Sequence, residues 1–290
     1  MATLYDGNGN VIEVSGGTAY DFGVAEYAVF ADPDGNSTRQ AVLTYNGKKL
    51  YPKNYPAQRL DFAKNYGGGV MIALGDSYTA MGASYFSAFA EKHGLVCDNR
   101  GLASSTIAGS EDLTTVGYHA FWTRLDTAVA EYQAEGGYTI GDTAYTPEDV
   151  KLITFMGGAN DWTTVDAEQG IDRIGNPEST DKEQLYGACK YIFDKLLASF
   201  PNADIVVILQ PCNASKGNYL MWLKEGIVRE MAQMYSLPIC DCCFEWYNPS
   251  NSNDAATYWA NDNLHMTAAG NQAIMDKLEK MVNNLPFSRS

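Results

Sequence analysis

Histidine is scarce in this chain of 290 residues: His93, His119 and His265 are all it has. A reaction that needs a base working near neutral pH therefore has three imidazoles to choose from. Long apolar runs are missing too. No window of about 18 apolar residues occurs, and Met1 to Asp6 show no basic stretch leading into an apolar core, so neither a membrane span nor a signal peptide is expected. Positive charge is in deficit, with 20 Lys and Arg against 35 Asp and Glu and a net charge of −15. No basic cluster offsets it, which argues against nucleic acid or an anionic membrane as partner and leaves neutral or uncharged polymeric substrates open. Cysteine is too sparse for a disulfide scaffold: Cys97, Cys189, Cys212, Cys240, Cys242 and Cys243 are read as free. Cys240-x-Cys242-Cys243 with Cys212 lacks the paired C-x-x-C spacing of a zinc site, so no metal is expected. Cellular location and oligomeric state leave no signal.

What is present divides the chain in two. Residues 1–66 are rich in Gly, Asn, Asp and Tyr, with turn clusters at Asp6-Gly7-Asn8-Gly9-Asn10, Asp32-Pro33-Asp34-Gly35-Asn36 and Asn46-Gly47 between short apolar runs such as 27–31 and 41–45. This pattern predicts a small β-rich appendage of hairpins. The first two clusters superficially suggest calcium loops, but neither sets a Gly at the sixth position with an acid at the twelfth. From residue 67 to 290 the pattern becomes strand, helix, strand, helix. Apolar runs at 70–74, 95–97, 152–156, 205–209 and 237–240 read as five buried strands, and helical periodicity marks a segment after Ser77 and others at 118–131, 182–200, 219–234 and 267–282. Buried strands alternating with amphipathic helices predict an α/β/α sandwich on a mostly parallel sheet, with ligand chemistry at the strands' carboxyl ends. Gly67-Gly68-Gly69 precedes its strand and lacks a following Gly-Lys-Ser/Thr, so it is no phosphate cradle.

Polar clusters fall at those strand ends or before the last helix. The first strand runs into Gly75-Asp76-Ser77, which sets the Ser77 hydroxyl at a strand-to-helix turn beside a helix N-terminus. Asp76 is expected to hold that turn through backbone hydrogen bonds. After the second strand comes Asp98-Asn99-Arg100-Gly101-Leu102-Ala103-Ser104-Ser105, a turn whose backbone N–H groups would point into the cleft. After the third comes Gly157-Gly158-Ala159-Asn160-Asp161-Trp162, with an amide donor at a strand end. Before the last helix lies Asp262-Asn263-Leu264-His265. Three residues separate Asp262 from His265, so one turn can bring carboxylate to imidazole.

The blocks Gly75-Asp76-Ser77, Gly101, Gly158-Ala159-Asn160-Asp161 and Asp262-Asn263-Leu264-His265 resemble, in order and strand context, the signature blocks of the GDSL or SGNH hydrolase superfamily. The resemblance covers residues 67–281. It implies a flavodoxin-like sandwich and cofactor-free ester hydrolysis. It also implies roles: Ser77 as nucleophile, His265 and Asp262 as base and orienter, and Gly101, Asn160 and the Ser77 backbone N–H as the oxyanion hole.

The residues support those roles on chemical grounds. Serine is a weak nucleophile until a base takes its proton, and imidazole suits that task near neutrality. His93, in Lys92-His93-Gly94, sits where a cation complements a helix C-terminus, and His119 lies beside Phe121 and Trp122 on an expected helix; His265 remains. Asp161, Asp241 and Glu245 stay open beside Asp262 as its orienter. Trp162, Trp246, Tyr258 and Trp259, with Tyr247, are candidate substrate contacts, either stacking platforms for sugar rings or packing for the loops. Asn and Ser at 248–253 suit a polyhydroxylated ligand. Together these point to a serine esterase acting through an acyl-enzyme on a short O-acyl group, such as acetyl, of a carbohydrate. The alternatives are a lipolytic esterase or thioesterase for longer chains, and a glycan-binding module of the same fold without turnover.

Overall fold

The structure, a computed structural model, describes residues 64–109, 119–161, 173–212, 218–243 and 256–285. It describes only backbone for 218–220 and for five strands nearer the N-terminus. The chain forms two compact units, Met1–Phe62 and Ala63–Ser290. In the first, β1 (Leu4–Tyr5) pairs with β2 (Val11–Ile12), and β3 (Gly23–Ala31), β4 (Ser37–Tyr45) and β5 (Lys48–Leu50) form an antiparallel meander. This region is β-rich as expected, but it ends at residue 62 and not at 66. The second unit begins at residue 63 for a physical reason: Lys64 Nζ and Tyr66 Oη both donate to Asp204 Oδ2, at 2.5 and 2.8 Å, and Lys64 N–H donates to Asn283 Oδ1.

That unit is built on five parallel strands: β6 (Val70–Gly75), β7 (Val96–Gly101), β10 (Val150–Met156), β11 (Asp204–Leu209) and β12 (Ile239–Asp241). A short hairpin, β8 (Tyr138–Ile140) and β9 (Thr143–Tyr145), stands apart. The order is β12-β11-β10-β6-β7, with every pairing parallel. This is the flavodoxin-like order, and its topological switch point falls between β6 and β10, where ligands bind in such sheets. All six residues of β6 are buried. Each such Val, Leu, Ile or Met contributes about 1.5–3 kcal/mol by leaving water, which is why the strand reads as an unbroken apolar run.

The helices are α1 (Ser77–Met81), α2 (Ala83–Lys92), α3 (Phe121–Gln133), α4 (Leu185–Ser199), α5 (Asn218–Met234) and α6 (Ala268–Val282). α2 packs on α6, while α3 packs on α4 and α4 on α5, giving two helical layers around the sheet. Leu185, Cys189, Ile192 and Leu196 lie on the buried face of α4 as their spacing predicts. One difference is that the helix after Ser77 is broken: Gly82 ends α1 and begins α2, its N–H bonded to Tyr78 O at 3.0 Å. Among the described residues no helix is long and apolar enough to cross a membrane.

Candidate active site

Ser77 is the first residue of α1, and Asp76 caps the helix by accepting the Tyr78 N–H on Oδ1 at 3.0 Å. The expected part of Asp76 in holding the turn is thus visible, and there is more. Asp76 is wholly buried, and its Oδ2 accepts from Gln210 Nε2 at 2.8 Å. Burial pushes the Asp76 carboxyl up to about 6, against the pull of the Gln210 and Tyr78 bonds.

His265 Nε2 lies 3.0 Å from Ser77 Oγ, and His265 Nδ1 lies 2.6 Å from Asp262 Oδ2. A carboxylate only accepts, so Nδ1 carries the proton, Nε2 is left as acceptor, and the Ser77 hydroxyl donates to it. Asp262 Oδ1 meanwhile accepts the backbone N–H groups of Leu264 and His265, both at 2.9 Å. Those two bonds, then the imidazole, hold its carboxyl down at about 2. The two side chains stay open to solvent, His265 at 21 % and Asp262 at 49 % exposure.

The loop carrying this pair is locally closed. Trp259 and Met266 form an antiparallel bridge, Thr267 N–H donates to Tyr258 O, and Ala260 N–H donates to His265 O. Asn263 takes the left-handed conformation at φ 53°, which asparagine tolerates better than most residues. Tyr78 Oη donates to Leu264 O at 2.5 Å, tying the loop to the helix that bears Ser77.

Of the other candidate orienters, Asp161 is buried and accepts the Ile107 and Ala108 N–H groups at 2.9 Å, and burial raises its carboxyl to about 7. Asp241 pairs with Arg229 at 2.7 Å. Glu245 lies outside the described residues. The other imidazoles also sort themselves. His93 is the C-cap of α2, as expected of its position, but it is wholly buried with Nδ1–H donating to Lys64 O, and burial lowers its pKa, which works against the cation expected there. His119 precedes α3 and is exposed.

The expected oxyanion donors divide. The Ser77 N–H stands at the free N-terminus of α1. Asn160 follows β10, next to β6 in the sheet, and spends one Nδ2 hydrogen on Ser105 O at 3.0 Å, leaving the second. Gly101 differs from the expectation: its N–H donates to Asn99 Oδ1 at 2.9 Å. A glycine is needed there for another reason, since a Cβ would collide with the Thr79 and Ala80 backbone of α1. In the same turn, Ala103 and Ser104 are exposed, Ser104 has φ 62°, and neither N–H has a partner among the described residues. These are the donors the turn can still offer. If Asn160 stabilises an oxyanion, Asn160→Ala lowers kcat by about 10²- to 10³-fold with little change in KM, read from steady-state ester hydrolysis.

The aromatic candidates are also redistributed. Trp259 is 4 % exposed within the core, so it supports the His265 loop and offers no open platform; Tyr258 is half-buried against the same core. Trp162, Trp246 and Tyr247 lie outside the described residues, as do 248–253. Two residues the sequence reading passed over brace the site. Arg124 of α3, largely buried, donates to Arg100 O, and its Nη2 donates to Gly75 O and Ser105 Oγ at 3.0 Å, clamping the Ser77 turn to the Gly101 turn. Gln210 is the other.

A family model described as GDSL-like lipase/acylhydrolase matches residues 73–273, and the chain belongs to that family. No protein of curated function matches it in sequence. Among solved structures, a protein from Lactobacillus plantarum is 22 % identical, with 74 % of this chain and 96 % of that one covered at a TM-score of 0.54. A possible lipase from Chitinophaga pinensis is 16 % identical, with 76 % and 100 % covered at 0.49. A catalytic mutant of an acetylxylan esterase from Geobacillus stearothermophilus is 14 % identical, with 78 % and 99 % covered at 0.44. At 22 % identity the likeness to the Lactobacillus plantarum protein is one of fold.

Proposed function

We propose that this member of the family is a serine esterase that forms an acyl-enzyme on Ser77. The observation that carries the reading is the 3.0 Å contact between Ser77 Oγ and His265 Nε2, with Asp262 on the far side of the ring. His265 takes the hydroxyl proton as Ser77 attacks the ester carbonyl, and the resulting imidazolium is stabilised by the Asp262 carboxylate. The oxyanion meets the Ser77 N–H, the Asn160 amide and the N–H of Ala103 or Ser104. Collapse expels the alcohol with the proton from His265, and water then repeats the sequence on the acyl group.

For the substrate we infer a short O-acyl group, acetyl foremost, on a carbohydrate. A base and orienter this open to solvent leave room for a bulky leaving alcohol, and exposed Asn261 and Asn263 flank Asp262 in the chain. An intact nucleophile and base have no use in a pure binding module.

The test is a panel of acetyl, butyryl and octanoyl esters with acetylated oligosaccharides, run on wild type and Ser77→Ala. Acetate release from the oligosaccharides by wild type alone is the expected result. A preference for octanoyl esters overturns the substrate assignment, and saccharide binding without turnover by either protein overturns the enzyme itself.

A further inference from the structure

Gln210 directly follows β11 and is wholly buried, and every polar group on its side chain is used. Its Nε2–H donates to Asp76 Oδ2 at 2.8 Å, and its Oε1 accepts the Ala159 N–H at 2.7 Å. Its own backbone N–H donates at 2.9 Å to Oε2 of Glu225, a buried residue of α5. Asp76 immediately precedes Ser77, and Ala159 immediately precedes Asn160. In the sheet, β11 lies beside β10 and β10 beside β6. One planar amide therefore reaches past a neighbouring strand and joins the two loops that carry the proposed nucleophile and amide donor. Its orientation is forced, because turning it over would set an NH₂ against the Ala159 N–H and an oxygen against a carboxylate.

We propose that Gln210 is a positioning residue for ester hydrolysis: its amide fixes the Ser77 turn relative to the Asn160 loop, so that attack and oxyanion stabilisation converge on one carbonyl. This inference rests on the esterase reading of Ser77 and His265. Gln210 touches neither substrate nor reacting atoms; it acts through Asp76 and Ala159. Geometry of this kind matters because an ångström of misplacement lowers turnover by roughly 10²-fold.

A swap of hydrogen-bond polarity separates positioning from mere burial. Asp76→Asn alone sets two NH₂ groups face to face, and Gln210→Glu alone sets two carboxyls face to face. Combined, the new amide at position 76 still accepts the Tyr78 N–H and donates to the new carboxyl at 210, which still accepts the Ala159 N–H. Formal charge and volume are unchanged. Each single variant is expected to lower kcat about 10- to 100-fold with KM nearly constant, and the double variant to recover to within about fivefold of wild type. The same ranking is expected for the rate at which a fluorophosphonate acylates Ser77, a reaction that needs nucleophile, base and oxyanion donors but no ester recognition.

Thermal melts accompany each measurement. Singles that fold and turn over like wild type overturn the proposal, as does a double variant that melts like wild type yet stays as slow as the product of the singles. If a single does not fold, the double decides alone: folded and active supports the role, folded and inactive overturns it. A wild type inert to every ester and to the fluorophosphonate sinks the esterase reading and this inference with it. A reactive wild type with indifferent singles sinks only the latter.

Discussion

Ser77→Ala is expected to abolish ester turnover, with kcat lower by about 10⁴-fold or more, while the melting temperature stays close to that of wild type. The fold should tolerate it because the cap of α1 comes from the Asp76 side chain and the helix start needs only the Ser77 backbone. The Oγ itself is bonded to His265 Nε2. Among the described hydroxyls near the Ser77 turn, Thr79 is wholly buried, and Ser105 Oγ already donates to Leu102 O and accepts from Arg124. Release of acyl product by purified Ser77→Ala at the wild-type rate would remove the nucleophile assignment.

Asp262→Asn is the second large effect, about 10³- to 10⁴-fold in kcat. The change is narrow in its geometry. An amide oxygen in place of Oδ1 still accepts the Leu264 and His265 N–H groups, so the loop keeps its shape. The NH₂ now faces Nδ1 and forces that nitrogen to accept, which moves the ring proton to Nε2 and leaves nothing to take the proton of Ser77. Lowering the pH does not reproduce this substitution. Asp262 stays ionised down to about 2, so an acid loss of activity in wild type above that pH does not report protonation of Asp262. The sign for stability follows from the same shift. Its pKa in the folded protein lies below that of the unfolded chain, so the contribution is full above the unfolded value and disappears as pH falls toward 2. Asp262→Asn protein with wild-type kcat at neutral pH would show that some other group orients the ring.

The strands were legible because strands buried on both faces leave continuous apolar runs, and 70–74, 152–156 and 205–209 all lie within β6, β10 and β11. The break at Gly82 was not, since Met81 and Tyr85 continue the helical stripe across it and only the close approach of Tyr78 O to Gly82 distinguishes the position. The β8–β9 hairpin went unread because its strands are three residues each and partly exposed, too short for a period. Ser77 could be picked out from its strand-to-helix turn and His265 by elimination, whereas Asp262 stayed one of four carboxylates and its role came from the family resemblance. Gly101 was read as an available donor because Asn99, two residues earlier, gives no sign in the sequence that its side chain turns back on the Gly101 N–H. Arg124 and Gln210 stayed hidden for a related reason: most of their partners are backbone groups on strands and loops distant in sequence, and a lone polar residue on an apolar face carries no period.

Base and orienter share one short loop, while the hydroxyl they serve is 188 residues away along the chain. Two long-range hydrogen bonds, Ser77 Oγ to His265 Nε2 and Tyr78 Oη to Leu264 O, hold that loop as one piece against α1. With the carboxylate on the same loop as the ring, the proton on Nδ1 is fixed within the loop, and the long-range contacts settle only where Nε2 points.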